Sequence, residues 1–290
     1  MPIEKTKRTK LINKEFTNKQ VQSILEEIEN LVGLENVKKL IYEIQAYIEI
    51  QRKRKEENLA TDSLVLHMIF KGNPGTGKTT VARHIARLFK ELDVLKKGHV
   101  IEIERADLVG EYIGHTALKT REQIQKAIGG ILFIDEAYSL ARGGEKDFGK
   151  EAIDCLVKAM EDYKDQLILI LAGYKKEMEW FLQSNPGLRS RFPIHINFPD
   201  YSINELLKIA ELMLNQRQYR LTTEAKVLLK TTLEKTALGH EHSGNARMVR
   251  NLIEKAIRLQ AVRLLENNLV SRDDLILINS EDIEEAARAI

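Results

Sequence analysis

Apolar and polar positions change their period twice along the chain. In residues 17–31, Val21, Ile24, Leu25, Ile28 and Leu31 recur at helical spacing, and Gly33 breaks the pattern. A long amphipathic helix is predicted from about residue 34 to 58. Its RKRK ending at 52–55 suits the negative end of a helix and calls for no nucleic acid. From residue 64 the pattern shortens to five apolar runs bounded by turn signals: LVLHMIF (64–70), HVIEI (99–103), GILFID (130–135), QLILILA (166–172) and IHINF (194–198). Helical segments separate them. ILFI and LILILA are apolar without alternation, which predicts strands buried on both faces of a parallel sheet. After Phe198-Pro199-Asp200 the strands are expected to stop. Ser202 with Glu205 forms a capping box opening a helix over 202–218, and helical patterns follow at 222–237, at 245–267 and after Ser280.

These patterns predict an α/β fold, a three-layer α/β/α domain with a parallel five-stranded sheet over residues 21–200. A C-terminal α-helical lid domain is expected over 201–290, and a basic tail over 1–20. A length of 290 residues allows one or two domains with a sizeable core. A 43% hydrophobic and 30% charged composition fits a globular, helix-rich chain. The lone cysteine, Cys155, excludes an internal disulfide and reads as a small residue on an apolar helix face. No apolar run approaches the roughly 20 residues of a membrane span, and no apolar segment follows the basic N-terminus as a secretory signal would require. A cytoplasmic location is the expectation. Net charge is +2, with six basic against two acidic residues in positions 1–20, so the rest of the chain is slightly acidic. That argues against a nucleic-acid-binding body, whose affinity would come from clustered cations.

The first strand runs into GNPGTGKTT (72–80), followed by helical VARHIARLFK, which matches G-x-x-x-x-G-K-[ST] in its strand–loop–helix setting. Gly72, Gly75 and Gly77 let the backbone curl so that N–H groups point at phosphate oxygens; Asn73, Pro74, Thr76 and Thr80 complete the loop. Lys78 supplies a cation to the β- and γ-phosphates, and the Thr79 hydroxyl a ligand for Mg²⁺. The third apolar run ends in Asp135 and Glu136, at the carboxyl end of a buried strand where α/β sheets bind ligands. Asp135 is expected to hold magnesium through its water shell, and Glu136 to polarise a water attacking the γ-phosphate. No Asn-Lys-x-Asp motif for guanine is present, and an Asp-Glu pair suits water activation better than transfer to an alcohol. ATP hydrolysis with Mg²⁺ remains.

Taken together, LVGLENVKKLI (31–41), GNPGTGKTTVAR (72–83), LVGEYIGHTALKT (108–120), ILFIDEAYSLA (131–141), FGKEAIDCLVKAMED (148–162), ILAGY (170–174), NPGLRSRF (185–192) and SGNARMVRNLIEKA (243–256) resemble the AAA+ ATPases. Within them they resemble the CbxX/CfqX group, which includes red-type rubisco activases and sporulation proteins. The resemblance covers nearly all of the chain after residue 17 and implies a P-loop AAA+ domain with its lid. It implies that Val32, Gly33 and Leu34 form the adenine-side loop and that Arg247 is the second sensor arginine. NPGLRSRF resembles the segment that offers an arginine finger to a neighbouring subunit, with Arg191 the choice and Arg189 the alternative. Tyr174, where many relatives carry Asn, Ser or Thr, would be the first sensor.

A finger acting in trans implies a ring of copies of this chain, most often a hexamer. The loop GEYIGHT (110–116) then matches the aromatic–hydrophobic–glycine pore loop, with Tyr112, Ile113 and Gly114 gripping a protein client and Gly110 and Gly114 giving freedom. The expected function is a remodelling or threading motor, sporulation-related. The alternatives are a rubisco-activase-like remodeller, a DNA-directed protein of the same class, and an ATP-gated assembly scaffold. His240 and His242 read as solvated or capping residues, and Trp180 and Phe181 as helix packing residues.

Overall fold

The structure, a computed structural model, describes residues 19–61, 65–112, 114–142, 147–239, 244–266 and 271–288. The expected basic tail up to residue 18, Ile113 of the tyrosine loop, and His240 and His242 lie outside the described residues.

Among the described residues, five parallel strands form one sheet: β1 (Met68–Gly72), β2 (Val100–Ile103), β3 (Ile131–Ile134), β4 (Ile168–Gly173) and β5 (Ile194–Phe198), in the order β2-β3-β4-β1-β5. Because side chains alternate faces along a strand, each central strand feeds two cores. Phe70, Phe133, Ile170 and Ile196 point to one face, where they meet α1 (Lys19–Glu29), α2 (Glu35–Glu56) and α3 (Lys78–Glu91). Ile69, Leu132, Leu169 and Leu171 point to the other, against α5 (His115–Ala127), α6 (Gly149–Asp162), α7 (Lys175–Ser184) and α8 (Pro186–Arg191). The short α4 (Arg105–Leu108) links β2 to α5. This two-sided burial explains why ILFI and LILILA carry no polar alternation. The sheet sits between helix layers.

The first strand starts later than its apolar run suggests, at Met68. Just before it, the His67 imidazole accepts the Leu169 backbone N–H through Nδ1 at 3.0 Å, doing the job of a ladder carbonyl. The ring is buried and burial pushes its pKa down to about 4, so it is neutral and able to accept. Trp180 departs from the expected packing role: its neighbour Phe181 is fully buried, while Trp180 is 51% exposed on the outer side of α7.

Past Asp200 a third core forms within α9 (Ile203–Asn215), α10 (Thr223–Gly239), α11 (Asn245–Glu266) and α13 (Ser280–Arg288). The capping box opens α9 as expected: Glu205 N–H donates to Ser202 Oγ and Ser202 N–H donates to Glu205 Oε2 at 2.8 Å. The expectation that strands end at residue 200 is corrected. Arg220–Leu221 (β6) and Leu277–Ile278 (β7) pair in parallel, β7 following the short α12 (Arg272–Ile276). Two residues are too few to show any period, so the pair has no sequence signature. Buried Asp282 accepts both Arg263 Nε and Nη2 at 3.0 Å and ties α13 to α11.

Candidate nucleotide site

The glycine loop between β1 and α3 is shaped by two left-handed residues, Gly75 (φ +75°) and Gly77 (φ +94°). A side chain at Gly75 would stand 2.6 Å from the Gly244 carbonyl and 2.9 Å from the Arg247 amide, so the loop packs directly on the start of α11. Ala246 N–H donates to the Gly75 carbonyl across that contact at 3.1 Å. Thr76 Oγ1 donates to the Asn73 carbonyl, and Tyr201 Oη donates to the Thr76 carbonyl at 3.2 Å. The loop is held from inside and from the lid.

Lys78 opens α3 and folds back so that Nζ donates to the carbonyls of Gly72 (2.9 Å) and Asn73 (2.8 Å). It is only 8% exposed, and burial pulls its pKa down against the opposing pull of Asp135, with smaller effects from Arg247, Glu136 and Asp200. Side chains far apart in sequence therefore share one electrostatic environment. A cavity of about 290 Å³ lies here, lined by Lys78, Thr79, Thr80, Asp135, Glu136, Tyr174 and Arg247 together with the loop glycines and Pro74.

Asp135 and Glu136 follow β3 directly. Asp135 N–H donates to the Ile103 carbonyl at 2.9 Å, extending the β2–β3 ladder, and its Oδ1 accepts Glu136 N–H at 3.0 Å. Glu136 is left-handed (φ +47°) and exposed, the N-cap of a short 3-10 helix over Ala137–Ala141. For a non-glycine residue that conformation costs on the order of 1 kcal/mol or more, a cost that clusters at functional sites. Here it turns the chain sharply at the cavity wall, where Glu136 is one of the lining residues.

Most of the sequence-chosen residues meet at this place, and several do not. Asn73 and Thr76 stand behind the loop: Asn73 Nδ2 donates to both Asp200 oxygens at 3.0 and 2.9 Å, and Thr76 is fully buried. Val32 and Leu34 line a second cavity of about 470 Å³ that continues past Gly77 and Thr80, while Gly33 packs against Glu205. Arg189 and Arg191 on α8 line neither cavity. Arg191 donates from Nε and Nη2 to Glu161 Oε1 at 3.1 and 2.9 Å, and Arg189 is exposed. Tyr112 is 66% exposed, its ring edge-on to His115 at 5.4 Å.

The tyrosine loop also corrects an expectation. Gly110 is buried, and a side chain there would meet His115 Cβ at 2.5 Å and the Thr116 amide at 3.0 Å; its own N–H donates to Thr116 Oγ1. It permits a close approach and gives no freedom. Gly114 (φ +82°) has nothing within 4 Å of a would-be Cβ.

Sequence reasoning missed a network that joins loop, linker and lid. Asn245 Nδ2 donates to Asp200 Oδ1 at 2.8 Å, Asn245 Oδ1 accepts Tyr201 N–H at 3.0 Å, and Asp200 holds Asn73. Glu104, at the end of β2, and Arg250, one turn along α11 from Arg247, also line the cavity. Their only sequence signal was position: Glu104 ends an apolar run, and Arg250 lies i+3 from Arg247.

A phosphate-type loop feeding a helix, two acids ending a strand of the same sheet and a helical lid docked on the loop define a nucleoside-triphosphate-binding module. Residues 68–200 match the family described as "ATPase family associated with various cellular activities (AAA)", and residues 202–289 match the AAA lid domain. Stage V sporulation protein K of Bacillus subtilis (strain 168) is 58% identical over 272 residues, spanning 92% of this chain and 84% of that protein. A chloroplastic ribulose bisphosphate carboxylase/oxygenase activase from Cyanidioschyzon merolae is 44% identical over 287 residues, 98% of each chain. Protein CfxQ of Xanthobacter flavus is 45% identical over 271 residues, 92% of this chain and 85% of that one.

The chain belongs to the AAA ATPase family, as a nucleotide-binding ATPase domain with its AAA lid. Among solved structures, the FIGL-1 AAA domain in complex with ADP shares the fold at a TM-score of 0.60 and 18% identity, covering 94% of this chain and 91% of that one. A point mutant of RuvB from Thermotoga maritima does so at 0.57 and 20% identity, covering 90% and 72%. Among the described residues, no helix is long and apolar enough to cross a membrane.

Proposed function

We propose that the chain is the subunit of an ATP-driven ring, most simply a hexamer, that remodels or threads a protein client through its central channel. The observation that carries the reading is Tyr112. It is 66% exposed beside an open Gly114, whereas the glycine-rich loop at 72–79 is packed and cavity-lining. A flat apolar ring on the surface can pack against any side chain, whatever the client's sequence.

In the cavity, Thr79 and Asp135 both present hard oxygen donors and fit a magnesium ion, which would neutralise charge on the transferring phosphoryl group. Lys78 binds the β- and γ-phosphates, Glu136 orients and deprotonates water, and Arg247 senses nucleotide from the lid. Tyr174, at the end of β4, lines the same wall as first sensor. Arg191, with Arg189 as the alternative, acts on a neighbour's site; that neither lines its own cavity supports action in trans.

The sporulation protein relative supports a sporulation-related role, and the activase relative a rubisco-directed one; a cytoplasmic location is part of the proposal. The test is ATPase stimulation by permanently unfolded casein against stimulation by single-stranded DNA, in the protein and in Tyr112→Ala. Stimulation by casein that is lost in Tyr112→Ala supports threading. Stimulation by DNA would favour a DNA-directed protein, and slow turnover under every condition would favour a scaffold.

A further inference from the structure

The 470 Å³ cavity beyond Gly77 has apolar walls from Leu31, Leu34 and Val81, but four titratable side chains also line it: Tyr201 and Arg250 on the lid side, and Glu27 of α1 and His84 of α3. His84 lies one turn beyond Thr80, so both face the same side of α3. Glu27 is gripped by Arg87, whose Nη1 and Nη2 donate to its two oxygens at 2.5 and 3.0 Å. That contact holds the Glu27 carboxyl below its ordinary range, so it is an acceptor only. His84 Nδ1 is buried, 3.5 Å from Glu27 Oε2 and without a hydrogen bond of its own. A lone pair at Nδ1 would face the carboxylate, whereas a proton there is attracted by it. The favoured tautomer carries its proton on Nδ1 and leaves Nε2 as an acceptor. Burial lowers the pKa of the ring and keeps it in its neutral form, with Glu27 pulling the other way more weakly.

We propose that His84, with its tautomer set by Glu27 and Arg87, selects the nucleobase: Nε2 accepts from the exocyclic 6-amino group of a purine and disfavours a 6-oxo group. The assignment rests on reading the adjoining cavity as the phosphate site, since the base must then fall beyond Gly77 and Thr80. A 6-oxo purine sets an acceptor against an acceptor in a half-buried place, and a site built to bond one group rejects the analogue that lacks it. One neutral hydrogen bond made or lost corresponds to about a tenfold change in affinity.

Calorimetric titration with ATP and with ITP probes that edge of the base, because inosine carries an oxygen where adenine carries its 6-amino group and an N–H at N1 where adenine has a lone pair. The protein should favour ATP by about tenfold or more. His84→Ala should bring the ratio to about twofold or less while still binding ATP. His84→Gln, whose amide both accepts and donates, should take both nucleotides and also lose the preference. An unchanged ATP-to-ITP ratio in both variants, or no preference in the unmodified protein, would overturn the assignment of His84. ATP binding that is indifferent to Lys78→Ala would instead overturn the reading of the phosphate site, and the base assignment with it.

Discussion

The loop at 72–79 and the loop at 109–114 are both punctuated by glycine, yet they are built in opposite ways. In the first, left-handed Gly75 and Gly77 bring the backbone within contact distance of α11 and Tyr201, and Lys78 is folded in at 8% exposure. In the second, Gly110 is packed against His115 but Gly114 is open and Tyr112 stands 66% exposed. Glycine serves close approach in one place and an unobstructed turn in the other. A loop held on all sides suits a small ligand; a loop anchored at one end and bare at its aromatic tip suits a large one.

The largest effect is expected off both loops. Arg191→Ala should leave nucleotide binding to the isolated subunit intact while lowering turnover, since arginine fingers are worth roughly 10³–10⁵ in rate. Mixing Arg191→Ala with Lys78→Ala should restore activity at interfaces that join an intact finger to an intact site. Absence of rescue in demonstrably mixed rings would count against action in trans, and a larger defect in Arg189→Ala would exchange the two assignments.

At the packed loop and the strand end beside it, Glu136→Gln should keep nucleotide binding but lose about 10²–10⁴ in turnover, the usual range for a positioned base. Lys78→Ala should weaken ATP binding by about a hundredfold, the equivalent of one or two charge-assisted hydrogen bonds. Single-turnover hydrolysis and equilibrium titration separate the two. Near-normal hydrolysis by Glu136→Gln would remove its role in activating water.

The glycines sharpen the contrast directly. Gly75→Ala adds a methyl group 2.6 Å from a lid carbonyl at φ +75°, so it must both strain the backbone and push the lid away, at about 2–4 kcal/mol. Gly114→Ala carries only the conformational cost, about 1 kcal/mol, because the space is empty. Thermal midpoints of the two variants test the difference. Equal losses would mean that the lid contact at Gly75 yields readily.

The smallest effect belongs to Tyr112→Ala, which should change stability by under about 0.5 kcal/mol, as for ordinary surface positions. A loss on the order of 3–5 kcal/mol, as for a buried aromatic, would place the ring in a core and end the comparison of the two loops.

Much of this is legible in the chain itself. Strand positions, helix faces, the GNPGTGKTT loop and Asp135-Glu136 are local features, written in short spacings that the backbone reads within a single element. Runs buried on both faces, such as ILFI and LILILA, announce a covered parallel sheet because no polar residue survives there. What the sequence does not express are decisions made between distant segments. Asn73, Asp200 and Asn245 bond across gaps of 127 and 45 residues, and only packing of the lid on the loop brings them together. The β6–β7 pair is too short to have a period. Gly110 reads as a source of freedom in the sequence, yet His115 packs against it; Trp180 reads as packing, yet it stands half in solvent. His84 is unremarkable on an amphipathic helix, because its meaning depends on Glu27, a charge that packing of α1 brings to it and to Arg87 one turn on. Chemistry carried by neighbouring residues is set by the chain itself; chemistry that requires a tautomer, a buried charge or a shared cavity is decided only when the tertiary fold brings the partners together.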